Sequence, residues 1–511
     1  VVASNSVDTL KVFLACTWLG GLFSSSSTDM GVKGVLQRAL QVTPKFIFMD
    51  DFAIYNGKRV DLRSKMGEIV EGMKDVKEFE GMVSMPRFQK PMDISSISQT
   101  QTLSAFQQIS RSSPVPEFEQ VAFHDPFFIA YSSGTTGTPK CIVHSVGGAT
   151  LSSAKEGKLH RDVNPESVVL QYTTTGWIMY FVSVMSLLPG ARAVLYDGSP
   201  FIPNLTTFVK LIGDQGVTIL GTSPRWMHEL AKNGIKPREV TDLSRLKVVS
   251  STGMVLSDQL FEWFYDVGFP KHVQLANISG GTDLVSSMLV ENPLTPVYVG
   301  GTQGPSLGTP LGVYDSLIEG GKGIPGAAVD HGTPGELIAP SAFPNMPVFF
   351  WNDPTGERYF SAYFEKYDNV WTHGDFVMVH PITKNVLFLG RADGVLNPSG
   401  YLCRSTRPED ADESVMLFLM MKKGEKFTDR LVNDVKAAIR KELSARHVPK
   451  YVFETPAIPT TVNLKKVELP VKQIVSGKVI KPSGTLLNPG SLDYYYQFAK
   501  VEELEQVKSK L

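Results

Sequence analysis

The chain has 511 residues, 42% hydrophobic and 20% charged, with 50 Lys+Arg against 51 Asp+Glu and a formal charge of -1. That is ordinary globular composition, long enough for about two to four domains, and it excludes disorder, fibre and nucleic-acid binding as the main business. Three cysteines, Cys16, Cys141 and Cys403, are too few and too scattered for a disulfide framework or a zinc cluster, and fit a reducing, cytoplasmic setting.

No stretch reaches the roughly 18 apolar residues of a membrane span. The nearest, Val12–Phe23, reads as a buried helix ending in a turn at Gly20-Gly21, without the basic flank or cleavage site of a signal peptide. The chain opens on Val1 rather than methionine, and the expectation is that the natural protein starts earlier.

Short apolar runs then recur: Phe46–Met49, Phe127–Tyr131, Val168–Leu170, Ala193–Tyr196 and Val217–Leu220. Their length and composition predict strands buried on both faces. Amphipathic stretches lie between them, such as Asn204–Gln215, whose Leu205, Phe208, Val209, Leu211 and Ile212 form one apolar stripe. This alternation predicts an α/β fold with mostly parallel sheets. From Pro296 to Phe350 Gly and Pro become dense, and short strands at Val297–Val299 and Gly335–Ile338 predict a smaller β-rich subdomain. A strand at Val386–Leu389 precedes the turn-rich Gly390–Gly400, which marks a domain boundary. Beyond it come a strand at Val415–Met420 and a helix N-capped by Thr428, with Leu431, Val435, Ile439 and Leu443 on its buried face. The predicted domains are 1–391, layered α/β with the β-rich part, and 392–511, a smaller mobile α+β lid.

The most informative segment is Tyr131–Lys140, YSSGTTGTPK, directly after a predicted strand. Small residues leave backbone N–H groups unobstructed, Ser132, Ser133, Thr135, Thr136 and Thr138 add hydroxyl donors, and Lys140 adds charge. The G-x-x-G spacing of Gly134 and Gly137 is not that of a Walker A loop. On these residues alone the segment reads equally as an anion grip or a flexible surface loop.

As a string it resembles the adenylate-forming superfamily of acyl-CoA synthetases, luciferase-like enzymes and peptide-synthetase adenylation domains. Further blocks follow in that family's order: Ser279-Gly280-Gly281-Thr282-Asp283, Trp371-Thr372-His373-Gly374-Asp375, Gly390-Arg391-Ala392-Asp393 and Pro459–Lys465. The resemblance is closer still to the acetoacetyl-CoA synthetases, through Lys140–Ser145, Tyr172–Trp177, Leu195–Pro200, Phe350–Asp353 and Ser444–Pro449. Val1–Asp29 already looks like an interior piece of that subfamily, whose N-terminal segment is not seen here.

The resemblance implies roles residue by residue. Ser132 to Gly137, with Lys140, would grip phosphates, and Thr135 would also meet Mg²⁺. Ser279, Gly280, Gly281 and Thr282 would contact the adenylate. Asp283 would hold Mg²⁺ where most of the superfamily has glutamate; aspartate offers the same hard oxygens with a shorter reach. Asp375 would accept the ribose hydroxyls, Arg391 would pair with ribose or phosphate, and Asp393 would be the hinge. Without the family, Asp283 and Asp375 read as cap or turn residues and Arg391 as a surface ion-pair partner. Gly176, Trp177 and Gly280 would border the acyl pocket. Acetyl-specific relatives carry tryptophan before the Thr–carboxylate pair; glycine leaves room for a four-carbon 3-keto acid, or serves only a tight turn. Arg446, beside His447, would meet CoA phosphates or simply close a helix C-terminus.

Lys465 matches the lysine of the adenylation step, with Lys466 as second candidate. Leu464 stands where the family has glycine, which restricts that loop. A second departure falls at Gly400-Tyr401, where the subfamily has an intervening strand and helix. The expectation is missing residues rather than a deletion, so that the two Cα atoms lie well beyond the roughly 3.8 Å of a trans peptide.

The implied reaction takes ATP, acetoacetate and CoA, with Mg²⁺, through an acyl-adenylate to acetoacetyl-CoA, AMP and diphosphate. In it the lid rotates about Asp393 between the two steps. The alternatives are a CoA ligase for another small acid, a carrier-loading adenylation domain, and a non-catalytic nucleotide- or acyl-CoA-binding relative. Small-molecule substrates are expected as partners, with no nucleic acid and no membrane span.

Overall fold

A computed structural model describes residues 1–109, 117–132, 139–316, 318, 320–391, 416–421, 424–442, 448–459, 469–477, 479–480 and 488–501. The chain divides into two compact units, Val1–Gly390 and Arg391–Leu511. The Gly400-Tyr401 junction lies outside the described residues.

The first unit is built on a five-stranded parallel sheet in the spatial order Arg192–Val194, Val168–Gln171, Ile219–Thr222, Val248–Ser251, Gln274–Asn277. Successive side chains alternate between faces, and both faces are covered. Val168, Leu170, Leu220, Val249 and Leu275 join Phe208, Trp226, Leu230 and Phe261 in one core. Val169, Ile219, Val248 and Ala276 join Met179, Ile278 and Val290 in another. That explains why these strands read as continuous apolar runs. The helix Leu205–Asp214 forms as its stripe predicts, with Asn204 as N-cap accepting from the N–H groups of Thr206 and Thr207.

A second parallel sheet, Phe46–Asp50, Gly81–Met85 and Thr100–Thr102, packs on the helices Val32–Val42 and Arg63–Met73. A third joins Phe23–Ser24, Pro126–Ser132, Lys140–Ser145 and Phe349–Phe350, the last three antiparallel. The glycine-rich region contributes to an antiparallel sheet ordered Gly301–Thr302, Val386–Arg391, Trp371–Val379, Gly335–Ala339, Gly312–Tyr314.

Two expectations are corrected. Val297–Val299 is a loop, not a strand. Pro293 and Pro296 withhold ladder donors, and Gln303 Nε2 instead ties down the carbonyls of Asn292 and Thr295 at 2.7 and 2.8 Å. The first helix runs Val7–Trp18, starting at the N-cap Ser6, and it is half-exposed rather than buried. Only Thr9 and Phe13 are buried along it, while Leu14 and Trp18 are exposed. The apolar run therefore misplaced both the start of the helix and its environment.

In the second unit the strands Met416–Leu419 and Tyr451–Glu454 pair in parallel. The helix Asp429–Glu442 has the expected cap, with Thr428 Oγ1 accepting from Leu431 N at 3.2 Å. Tyr451, Ile474, Leu492, Tyr495 and Phe498 fill its core. The fold is α/β, with a large N-terminal part and a smaller C-terminal one.

Candidate active site

Ser132 and Lys140 face each other where the strands Pro126–Ser132 and Lys140–Ser145 pair, so the hairpin holds both ends of the Ser/Thr/Gly segment together. Ser133, Gly134, Thr135, Thr136, Gly137 and Thr138 lie outside the described residues. The Lys140 ammonium stands 5.7 Å from the Phe350 ring centre and 6.0 Å from that of Tyr363. Aromatic faces near a cation at that range hold it by their quadrupoles.

The strand leaving this hairpin reaches the Thr282-Asp283 turn. His144, fully buried, donates from Nε2 to the Thr282 carbonyl at 2.9 Å. Burial lowers its pKa to about 4, so the ring is neutral at physiological pH. The Asp283 carboxylate accepts a short hydrogen bond from the Tyr363 hydroxyl. Burial first, and the Asp283 charge second, push that phenol well above its ordinary range, so it remains a donor. Asn345 Nδ2 donates to the Leu284 carbonyl at 3.0 Å. Glu156 accepts from Ser286 Oγ and from Ser287 N, the latter at 3.0 Å. Four side chains from separate parts of the chain thus pin one turn. Within it Val285 has φ +49°, a left-handed conformation that a β-branched residue adopts only under constraint.

Ser279–Gly281 pairs antiparallel with Ser286–Val290, with a register shift after Ser279. A Cβ on Gly280 would come within 2.3 Å of the Ser286 carbonyl, so the hairpin itself demands glycine there. Space is open at Gly281, where a Cβ would have nothing nearer than Asp283 Oδ2 at 3.6 Å and His373 Cε1 at 3.7 Å. Ser279 Oγ donates to Asp375 Oδ2 at 3.1 Å, and His373 Nε2 lies 3.7 Å from the same oxygen. Asp375 is buried in the strand Trp371–Val379. Trp177 packs in the cluster that contains Ile278, and a Cβ on Gly253 would lie 3.3 Å from its ring. At Gly176 a Cβ would meet Ser27 N at 2.6 Å, so glycine there admits the neighbouring Ser26-Ser27 backbone.

The structure therefore brings together Ser132, Lys140, Thr282, Asp283, Ser279, Gly280, Gly281 and Asp375, with Trp177 alongside. The Arg391 side chain, Asp393, Arg446 and Lys465 lie outside what is described. Sequence reasoning missed His144, Tyr363, Glu156 and Asn345. His144 left a signal, a polar ring inside an apolar strand; Tyr363 left none, because its partner lies 80 positions away.

Among the described residues no group of three or more His, Cys, Asp or Glu could hold a metal ion. Asp283 offers one carboxylate, with Oδ1 engaged by Tyr363. That donor set fits Mg²⁺ taken with a nucleotide, bound through one carboxylate and phosphate oxygens, rather than a resident ion in an all-protein cage.

Residues 1–342 match the family described as AMP-binding enzyme, which is the class this fold and site define. The chain is 38% identical over 524 residues to the acetoacetyl-CoA synthetase of Gallus gallus, covering 98% of this chain and 76% of that protein. It is 36% identical over 521 residues to the acetoacetyl-coenzyme A synthetase of Rhizobium meliloti (strain 1021), covering 98% and 77%. It is 32% identical over 537 residues to the malonamoyl-CoA synthetase of Penicillium aethiopicum, covering 97% and 72%. A solved structure of acetoacetyl-CoA synthetase from Streptomyces lividans superposes with a TM-score of 0.72 at 32% identity, covering 98% of this chain and 78% of that one. Within the AMP-binding enzymes, this chain belongs to the acetoacetyl-CoA synthetase family.

Proposed function

We propose that this protein joins acetoacetate to CoA, with ATP cleaved to AMP and diphosphate. The observation that carries the reading is that Lys140 faces Tyr363, Tyr363 bonds Asp283, and Asp375 bonds Ser279 four residues before Asp283, in a chain that follows acetoacetyl-CoA synthetases along 98% of its length.

A carboxylate oxygen of acetoacetate attacks the α-phosphorus of ATP; the bond from that phosphorus to the bridging oxygen breaks, and diphosphate leaves with the electron pair. The CoA sulfur then attacks the acyl carbon, and AMP departs as the carbon–oxygen bond breaks. Asp375, already accepting from Ser279, has acceptor capacity for a ribose hydroxyl. Lys140, with the Ser/Thr/Gly loop, meets phosphate charge, and Lys465 offsets charge at the α-phosphate and the carboxylate in the first step. Asp283 and Thr135 would hold Mg²⁺, which supplies Lewis-acid neutralisation of phosphate charge when bound, and Thr282 would meet the adenylate. Trp177 and the open space at Gly281 border the acyl group. Arg391 meets ribose or phosphate, Asp393 serves as hinge, and Arg446 meets CoA phosphate; these roles rest on the resemblance alone.

Among the described residues no helix is long and apolar enough to cross a membrane. A reducing, cytoplasmic location is part of the proposal, and the free thiols of Cys16 and Cys141 suit it.

The test is acetoacetate-dependent AMP formation with CoA, run beside malonamate and other short acids and compared by kcat/KM. Acetoacetate is expected to lead the panel, and Lys465→Ala to abolish diphosphate release. Preference for another acid overturns the substrate; full activity in the lysine variant overturns its role.

A further inference from the structure

Tyr363 bonds one of the charged groups on which the proposed chemistry depends and faces another. The helix Glu357–Tyr363 is held at its start by Asp353, whose carboxylate accepts from Tyr359 N at 2.8 Å and Arg358 N at 3.3 Å. At the end of that helix the Tyr363 ring stacks on Trp371 with centroids 3.8 Å apart and planes 15° from parallel. Phe350 and Tyr359 close its edges at 5.5 and 5.1 Å. The residue is 5% exposed, and its hydroxyl donates to Asp283 Oδ1. Its ring lies 6.0 Å from the Lys140 ammonium.

We propose that Tyr363 is a positioning residue for the adenylation step: its hydroxyl, bonded to Oδ1, holds Asp283 in one rotamer for the meeting with Mg·ATP. An aspartate has two side-chain torsions to restrict, and an unrestrained carboxylate would lose entropy each time a nucleotide bound. A hydrogen bond made before binding removes that cost. With its hydroxyl at hydrogen-bond distance from Oδ1, Tyr363 would have to shift if one further methylene carried the carboxylate toward it. Because the ring also faces Lys140, one rigid side chain sets the spacing between the cation at the mouth of the loop and the carboxylate across from it.

The proposal rests on the reading of Asp283 as the nucleotide–metal carboxylate, and the experiment separates the two. Tyr363→Phe, Asp283→Asn and the double variant are titrated with ATP by calorimetry, with Mg²⁺ and with EDTA, without acid substrate. Tyr363→Phe is expected to weaken ATP binding about tenfold in Mg²⁺ and to leave metal-free binding unchanged. In turnover the same variant raises KM for ATP by a similar factor and changes kcat less. The double variant is expected to lose no more than Asp283→Asn does, because the hydroxyl acts through that carboxylate. Additive losses, or equal weakening with and without Mg²⁺, would mean that Tyr363 acts only as packing. Wild-type binding in Tyr363→Phe alongside a damaged Asp283→Asn overturns the role of Tyr363 alone. Wild-type Mg·ATP binding in both single variants overturns the reading of Asp283 itself. If Tyr363→Phe folds poorly, Asp283→Glu carries the test. It is expected to bind Mg·ATP about tenfold more weakly than wild type, and wild-type affinity there refutes the positioning by Tyr363.

Discussion

Arg161 is 9% exposed and lies between two buried carboxylates, with Nε 2.5 Å from Glu291 Oε1 and Nη2 3.8 Å from Glu156 Oε2. Replacing it with methionine keeps much of the volume and removes the charge. The two acids then fare differently. Glu156 keeps its hydrogen bonds from Ser286 Oγ, Ser287 N and Ser306 Oγ. Glu291 is 0% exposed, its Oε2 has no hydrogen-bond partner, and its Oε1 is held by Arg161. The stranded charge is therefore chiefly Glu291, and removing one member of a buried pair costs about 3–5 kcal/mol. Arg161→Met should lose that much at pH 8, read as a fall in the urea midpoint by tryptophan fluorescence. Adding Glu291→Met should return the midpoint to within about 1 kcal/mol of wild type, since a buried ion pair exchanged for apolar residues of similar volume is near neutral. As Glu156 still holds Ser286 and Ser287, folded Arg161→Met should keep kcat within a few-fold of wild type. A loss under about 1 kcal/mol, or no recovery in the double variant, would refute this account of the cluster.

Asp375→Ala should weaken AMP binding about 10- to 100-fold, the worth of one or two hydrogen bonds to a charged acceptor, and isothermal titration against a nucleotide-free melting curve separates this from misfolding. Gly280→Ala should lose about 1–3 kcal/mol in thermal melts, because its Cβ would sit 2.3 Å from the Ser286 carbonyl and backbone on both sides resists the shift; an unchanged melt would show that the hairpin yields. Burial raises the Asp50 pKa from 3.8 to about 6, against the opposing hydrogen bonds from Ser4. Stability from that group is fully present below pH 4 and is lost as pH rises through 6, because the folded state binds the extra proton. Asp50→Asn removes this dependence, so its urea midpoint should fall less than wild type between pH 4 and 7, by roughly 3 kcal/mol; parallel curves would contradict the shift.

Much of the candidate site is legible in the sequence, because its residues lie in short contiguous strings. SGGTD and WTHGD each lie within one hairpin or strand, so local sequence states both the residue types and their spacing. The buried strands were legible for a related reason: both faces of the parallel sheet are covered, and Val168–Gln171 or Ile219–Thr222 can hold few polar side chains. Helix starts marked by a side-chain cap, at Asn204 and Thr428, fell where local hydrogen bonding puts them.

Only the tertiary structure decided what depends on partners distant along the chain. No local pattern shows that Tyr363 meets Asp283, that His144 holds the Thr282 carbonyl, or that Glu156 receives the Ser287 N–H from 131 positions away. The glycine at 280 illustrates the same limit. Sequence left it as pocket space or tight turn, and the close approach of the Ser286 backbone supplies a requirement that neither reading contained. Local strings declare which groups are available, because capping, periodicity and charge act within a few residues. Their placement to within a hydrogen bond is a property of how sheets stack, and that is settled by packing among residues that the chain itself keeps far apart.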